Sequence, residues 1–151
     1  MLIQITKRPD GAGILRCIRA DGSATWQKQN ARHAAHFAPH DLTHYSVETT
    51  LGIRRGFFGL VAEGWEIDDT TGKGTRGPLP KDAGDAETIV GMLDAERASG
   101  RIWTPEEIQE FGGDAVRSLN AAQIEAIRIR RSQLLEQWAE LPPGSTLELA
   151  F

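Results

Sequence analysis

Three β-rich runs crowd into residues 2 to 29, separated by Pro9-Asp10-Gly11 and by Asp21-Gly22, and a fourth closes the chain as Thr146-Leu147-Glu148-Leu149-Ala150-Phe151. Both separators are strong turn signals, so the first three runs read as an antiparallel meander. Ile3 and Ile5 share one strand face, and Leu15 and Cys17 alternate with Arg16, as in a sheet with one packed and one wetter face. The last run follows the break Pro142-Pro143-Gly144 and repeats the alternation, so it is expected to be the strand that closes the sheet. The expected fold class is therefore α+β: a four-stranded, mainly antiparallel sheet, made of the N-terminal meander and a C-terminal strand, covered by helices.

The middle of the chain carries the helical signals. One helix is expected to begin with Pro39 in its first turn and to stop at Gly52, and a second, apolar one to run from about Arg55 to Gly64 and pack tightly against it. Residues 68 to 84, rich in Gly, Asp, Thr and Pro, read as a long exposed loop. Later helices start at Asp85, at Thr104-Pro105-Glu106-Glu107 and at Asn120-Ala121-Ala122-Gln123, the last two in capping-box form. From Asn120 to Leu141, Ile124, Ile127, Leu134, Leu135, Trp138 and Leu141 form one stripe, expected to cover the sheet. Arg131 falls in that stripe, where a guanidinium must snorkel outward or meet a buried carboxylate.

A chain of 151 residues with 40% apolar content can bury an ordinary core, and its length fits a single domain over 1 to 151. The net charge of −4, with arginines scattered among acids, argues against nucleic acid as a partner. The lone Cys17 lies in an alternating apolar run and reads as a buried, inert thiol. The N-terminus carries no basic leader, and no window approaches the ~18 apolar residues of a membrane span. These features set the expectation of a cytoplasmic protein that neither enters membranes nor is secreted.

All four histidines fall between positions 33 and 44, and the last two stand in His40-Asp41-Leu42-Thr43-His44. Residues four apart share a helix face, so both imidazoles could reach one metal ion with Asp41 beside them. With eighteen residues between them, His44 is followed by Glu63, in a segment otherwise almost wholly apolar. An acid buried there would need a cation. The string resembles the zincin motif with Asp in place of Glu, and the Glu63 spacing resembles that of the gluzincin branch; the likeness covers residues 40 to 65. It implies zinc, or another divalent transition metal, on His40, His44 and Glu63. Asp41 would be the general base in metal-assisted hydrolysis of an amide-type bond, in a small-molecule or peptide substrate.

Two features depart from that pattern. Aspartate is shorter than glutamate by roughly 1.5 Å, and no histidine follows His44, while the single tyrosine is Tyr45. Oxyanion stabilisation would then pass to an arginine such as Arg54, Arg55 or Arg131. Glu48 stands about 12 Å along the helix from His40, too far to share one ion comfortably, and is expected to accept a hydrogen bond from His44 and fix its tautomer. His36 is an alternative ligand if the chain before Pro39 folds back.

Other readings stay open. The His/Glu cluster could be salt-bridged in a non-enzymatic scaffold or interaction protein, with Arg131 as partner to Glu63. A small ligand could bind beneath the 68 to 84 loop against Trp65. Thr71-Gly72-Lys73-Gly74-Thr75 fails as a Walker loop, because Ile67 stands where the leading glycine belongs.

Overall fold

The structure is a computed structural model that describes residues 1–72 and 76–151. Residues 73–75, which belong to the expected loop and to the failed phosphate-loop string, lie outside the described residues. Strands β1 (Leu2–Lys7), β2 (Gly13–Ile18), β3 (Ala24–Lys28) and β4 (Thr146–Ala150) form one sheet in the order β3-β2-β1-β4, with every pair antiparallel. The register explains its one-sidedness. Ile3 lies opposite Cys17 and Leu149, and Ile5 opposite Leu15 and Leu147, so the apolar positions of three strands share one face. On the other face Gln4 donates to Glu148 at 2.7 Å and Thr6 meets Thr146 at 2.8 Å. The α+β architecture expected of the sequence is the one found.

The inner face of the sheet is covered by α1 (Ala34–Leu51), α2 (Phe57–Ala62) and the C-terminal half of α6 (Ala121–Glu140). A second core lies on the far side of α1. There Val47 meets Ile89, Val90 and Leu93 of α3 (Lys81–Ser99), Ile108 of α4 (Pro105–Phe111) and Val116 of α5 (Gly113–Arg117). Helix α6 spans both cores: Leu134 and Trp138 face the sheet, whereas Ile124 and Ile127 join the second cluster. Its apolar stripe therefore covers the sheet along only part of its length. No helix among the described residues is long and apolar enough to cross a membrane.

Several boundaries differ from expectation for local reasons. Helix α1 starts at Ala34, preceded by a 3-10 turn over Ala31–His33, so Pro39 lies inside it. Proline lacks the N–H that would serve the Ala35 carbonyl, but Ala35 is exposed and water can take its place. The helix stops at Gly52, which adopts φ 68° as the left-handed cap. Helix α3 begins at Lys81, before Asp85, and Ile67–Thr71 forms a 3-10 turn, so the expected 68 to 84 loop is shorter. Both capping boxes, at Thr104/Glu107 and Asn120/Gln123, form reciprocally.

Arg131 meets a buried carboxylate, and the partner is Glu96, not Glu63. Its Nη2 donates to Glu96 Oε2 at 3.1 Å and its Nη1 to the Leu93 carbonyl at 2.7 Å. Arg128 grips the same carboxylate, and the Trp103 N–H donates to it at 3.0 Å. Burial opposes ionisation of Glu96, but these donors hold its pKa below the ordinary 4.5. Its stabilising contribution is thus full above the unfolded value and lost as pH falls through the lowered one.

Replacing Glu96 by Gln should strand two largely buried guanidiniums and lower unfolding free energy in urea by about 3 to 5 kcal/mol at neutral pH. The gap between wild type and variant should narrow as pH drops below about 4.5. Arg117→Ala, which breaks only the exposed pair with Asp114, should leave the urea midpoint unchanged.

Candidate metal centre

From Asp41 to Glu48 every residue of α1 is buried, although five of the eight are polar or charged: Asp41, Thr43, His44, Ser46 and Glu48. Such groups must find partners inside the protein. Thr43 and Ser46 donate back to the carbonyls of Pro39 and Leu42 at 2.8 and 2.7 Å. Asp41 accepts from Gln29 Nε2 at 2.5 Å, and Gln29 Oε1 accepts from the Gly13 N–H at 3.1 Å. Glu48 accepts the Phe58 and Gly59 N–H groups at 3.2 and 3.1 Å, so its carboxylate caps the start of α2. His44 Nδ1 is the exception, buried without a hydrogen-bond partner.

Around His44 the structure assembles three potential ligands from two helices. His40 and His44 project from α1 and Glu87 from α3, and one ligand atom of each lies within 4.8 Å of the others, so the group could hold a metal ion. His44 Nε2 stands 3.3 Å from Glu87 Oε1. Each imidazole has a carboxylate behind it. His40 Nδ1 is 2.8 Å from Asp94 Oδ2, and His44 Nδ1 is 3.4 Å from Glu48 Oε1. A proton held on Nδ1 by such a carboxylate leaves Nε2 as the metal-facing lone pair. Glu87 and Asp94 are seven residues apart on α3 and so share one face of it. The site is graded in exposure: the side chain of His44 is 2% exposed, that of His40 25% and that of Glu87 48%.

The electrostatics favour a cation between the helices. Burial pulls the His44 pKa down, but the Glu48 and Glu87 carboxylates outweigh it and carry it up to about 9. The His44 contact holds the Glu87 carboxyl below its usual range. Burial works against ionisation of Asp94 as well, yet the His40 hydrogen bond leaves its pKa lowered. Asp41 behaves oppositely: burial raises it to about 7 against the pull of His40, His44 and Gln29.

The remaining expected site residues are placed elsewhere. Glu63 is exposed and stands apart from the histidines; it caps the end of the short α2, and Arg55 Nε sits 3.1 Å from both its oxygens. An eighteen-residue spacing returns an acid to the first helix only when the second helix is long enough, and here α2 ends at Ala62 before Gly64 turns with φ 100°. Asp41 aims its carboxylate at Gln29 beneath the sheet, not at Glu87. Of the three candidate arginines, Arg131 is held by Glu96 and Arg55 by Glu63, while Arg54 lines two surface grooves of about 460 and 550 Å³ whose walls include neither histidine. His36 is exposed, with its ring 5.1 Å from that of His40. Trp65 packs with Leu60, Ala83 and Leu79. Cys17 is buried, and burial pushes its thiol up to about 12, consistent with an inert side chain.

Sequence reasoning missed Glu87 and Asp94 as site residues. Their seven-residue spacing on a helix beginning before Asp85 was the available signal. No family model, curated protein or solved structure matches this chain.

Gly56 lets Glu48 reach α2, because a Cβ there would lie 2.5 Å from the Glu48 carboxyl carbon. Gly56→Ala should therefore expel the carboxylate and cost about 1 to 3 kcal/mol in chemical denaturation. The Gly56→Ala, Glu48→Ala double variant should be little worse than Glu48→Ala alone, because both changes remove the same contact.

Proposed function

We propose that this protein binds a divalent transition metal, zinc in the first instance, between α1 and α3 on His40, His44 and Glu87. The observation that carries the reading is the 3.3 Å separation of His44 Nε2 and Glu87 Oε1, the edge expected of a tetrahedral shell with ligands at about 2.0 to 2.1 Å. The carboxylates behind both Nδ1 atoms support it, as does the mixed nitrogen and oxygen donor set. Three protein ligands, with Glu87 half exposed, would leave an open position toward solvent, as catalytic zinc sites do. An ion there would supply Lewis-acid chemistry suited to hydrolysis of an amide-type bond. Asp41 would influence that ion only through the charge it places behind the two histidines.

A second reading has its own observation. His44 lies 3.4 Å from Glu48 and 3.3 Å from Glu87, so a protonated imidazole bridging two acids would satisfy the same geometry as a structural ion-pair cluster. Zinc titration followed calorimetrically and by thermal unfolding separates the two. Metal binding requires one equivalent per chain and stabilisation of about 2.7 kcal/mol at a hundredfold excess over Kd. Both effects should disappear in His44→Ala and weaken at least tenfold in Glu87→Gln, while Glu63→Gln retains them. No saturable zinc uptake, together with a protonated His44 by NMR at neutral pH, would establish the ion-pair cluster instead.

A further inference from the structure

The two edge strands of the sheet, β3 and β4, are protected unequally. Strand β3 ends in Lys28, and the 3-10 turn over Ile67–Thr71 lies against it, with the Ile67 N–H donating to Thr25 Oγ1 at 3.3 Å. Strand β4, Thr146-Leu147-Glu148-Leu149-Ala150, contains no lysine, arginine or proline and pairs only with β1. Natural sheets blunt an open edge with such residues, with a bulge or with a covering element. We propose that the outer edge of β4 docks a second copy of this chain, whose own β4 adds antiparallel to make one continuous sheet.

The flanking hydrogen bonds fix which groups face outward. The Phe151 N–H donates to the Met1 carbonyl and the Lys7 N–H to the Ser145 carbonyl. In the antiparallel alternation Ser145, Leu147, Leu149 and Phe151 therefore bond β1, while Thr146, Glu148 and Ala150 turn their N–H and C=O groups to the open edge. All three are exposed. The apolar face is incomplete at the same margin. Ile3, Ile5, Leu15 and Cys17 are at most 1% exposed, whereas Leu147, Leu149 and Phe151, on the same face, stay partly open to solvent. One added strand covers both the main-chain groups and that apolar margin.

The match of the strand to itself favours a second copy over an unrelated strand. Registers centred on Glu148, Leu149 or Leu147 keep the two strands overlapped. Centring on Glu148 sets that carboxylate against its own copy, a destabilising like-charge pair. Centring on Leu149 pairs Glu148 with Ala150, whose carbonyl already accepts the Tyr45 hydroxyl at 2.8 Å, with Arg130 of α6 donating to that hydroxyl at 3.2 Å. Centring on Leu147 meets neither obstacle. Thr146 of each copy then lies opposite Glu148 of the other and exchanges both main-chain hydrogen bonds with it. Leu147 falls on the twofold axis, against its own copy on the apolar face.

The test is sedimentation of the full chain, with a chelator present, over micromolar to submillimolar concentrations. A reversible monomer–dimer equilibrium is expected. Thr146→Glu sets a carboxylate against Glu148 on both sides of the axis and should weaken the dimer at least fivefold. Adding Glu148→Lys should restore it, because opposite charges then face each other, and that recovery excludes misfolding as the cause of the loss. A chain that stays monomeric throughout, a dimer indifferent to Thr146→Glu, or one not restored by the second change would overturn the proposal. So would a dimer lost instead in Trp26→Ser, which would move the interface to the outer face of the sheet, where Trp26 is 66% exposed. The chelator makes the result independent of whether the His/Glu cluster takes zinc.

Discussion

The burial of α1 constrains everything around it. A helix enclosed by a sheet on one side and three helices on the other is usually apolar all round, and this one carries Asp41, His44 and Glu48 in its most buried stretch. Each needs an answering group delivered by another element, so the neighbours are positioned by hydrogen bonds as much as by packing. Gln29, just past β3, reaches Asp41 only because Gly13 has no Cβ; one built there would lie 2.5 Å from Gln29 Oε1. Glu48 reaches the first N–H groups of α2 only because Gly56 has none. Two glycines whose conformations other residues could adopt are thus fixed by the approach of a buried polar side chain.

That constraint also explains why the candidate centre lies on the α3 side of α1. Facing the sheet, α1 meets Gln29 and the apolar core, and Asp41 is raised toward neutrality. Facing α3 it meets Glu87 and Asp94, and His44 there gains positive character. Two carboxylates of α3, Glu87 and Asp94, face the two imidazoles, while Glu48 stands behind His44 and Asp41 turns to the sheet side. Negative charge at a packed interface is tolerated only where donors, protons or cations answer it, and here backbone N–H groups answer Glu48 while Arg97 and His40 share Asp94.

Much of the sheet was legible because its information is local. Turn dipeptides and period-two alternation fixed three strands, and the register then followed from placing Ile3, Ile5, Leu15 and Cys17 on one face. The His40/His44 pair was equally local, since i and i+4 on a helix meet whatever the fold does. The rest depended on tertiary distances. Glu63 and Glu87 are both acids in segments that could pack on α1, and only the length of α2 decides between them. Arg131 was expected to meet a carboxylate or snorkel, but the choice of Glu96 depends on how α3 and α6 cross, which no periodicity encodes. Gln29 had no signal beyond residue type.

Helix α3 links these observations, because it supplies acids to two different cationic neighbours. Toward α6 it offers Glu96, which two guanidiniums and one backbone N–H satisfy completely; that interface closes on the chain's own charges and needs no ligand. Toward α1 it offers Glu87 and Asp94, which meet imidazoles whose own charge depends on protonation. Arginine cannot give up its proton in a protein and histidine can. The α3–α6 contact is therefore a fixed clamp, while the charge at the α1–α3 contact depends on the protonation of its imidazoles. Asp94 serves both sides of α3, with Oδ2 against His40 and Oδ1 against Arg97, so the acid that orients the histidine also answers a guanidinium.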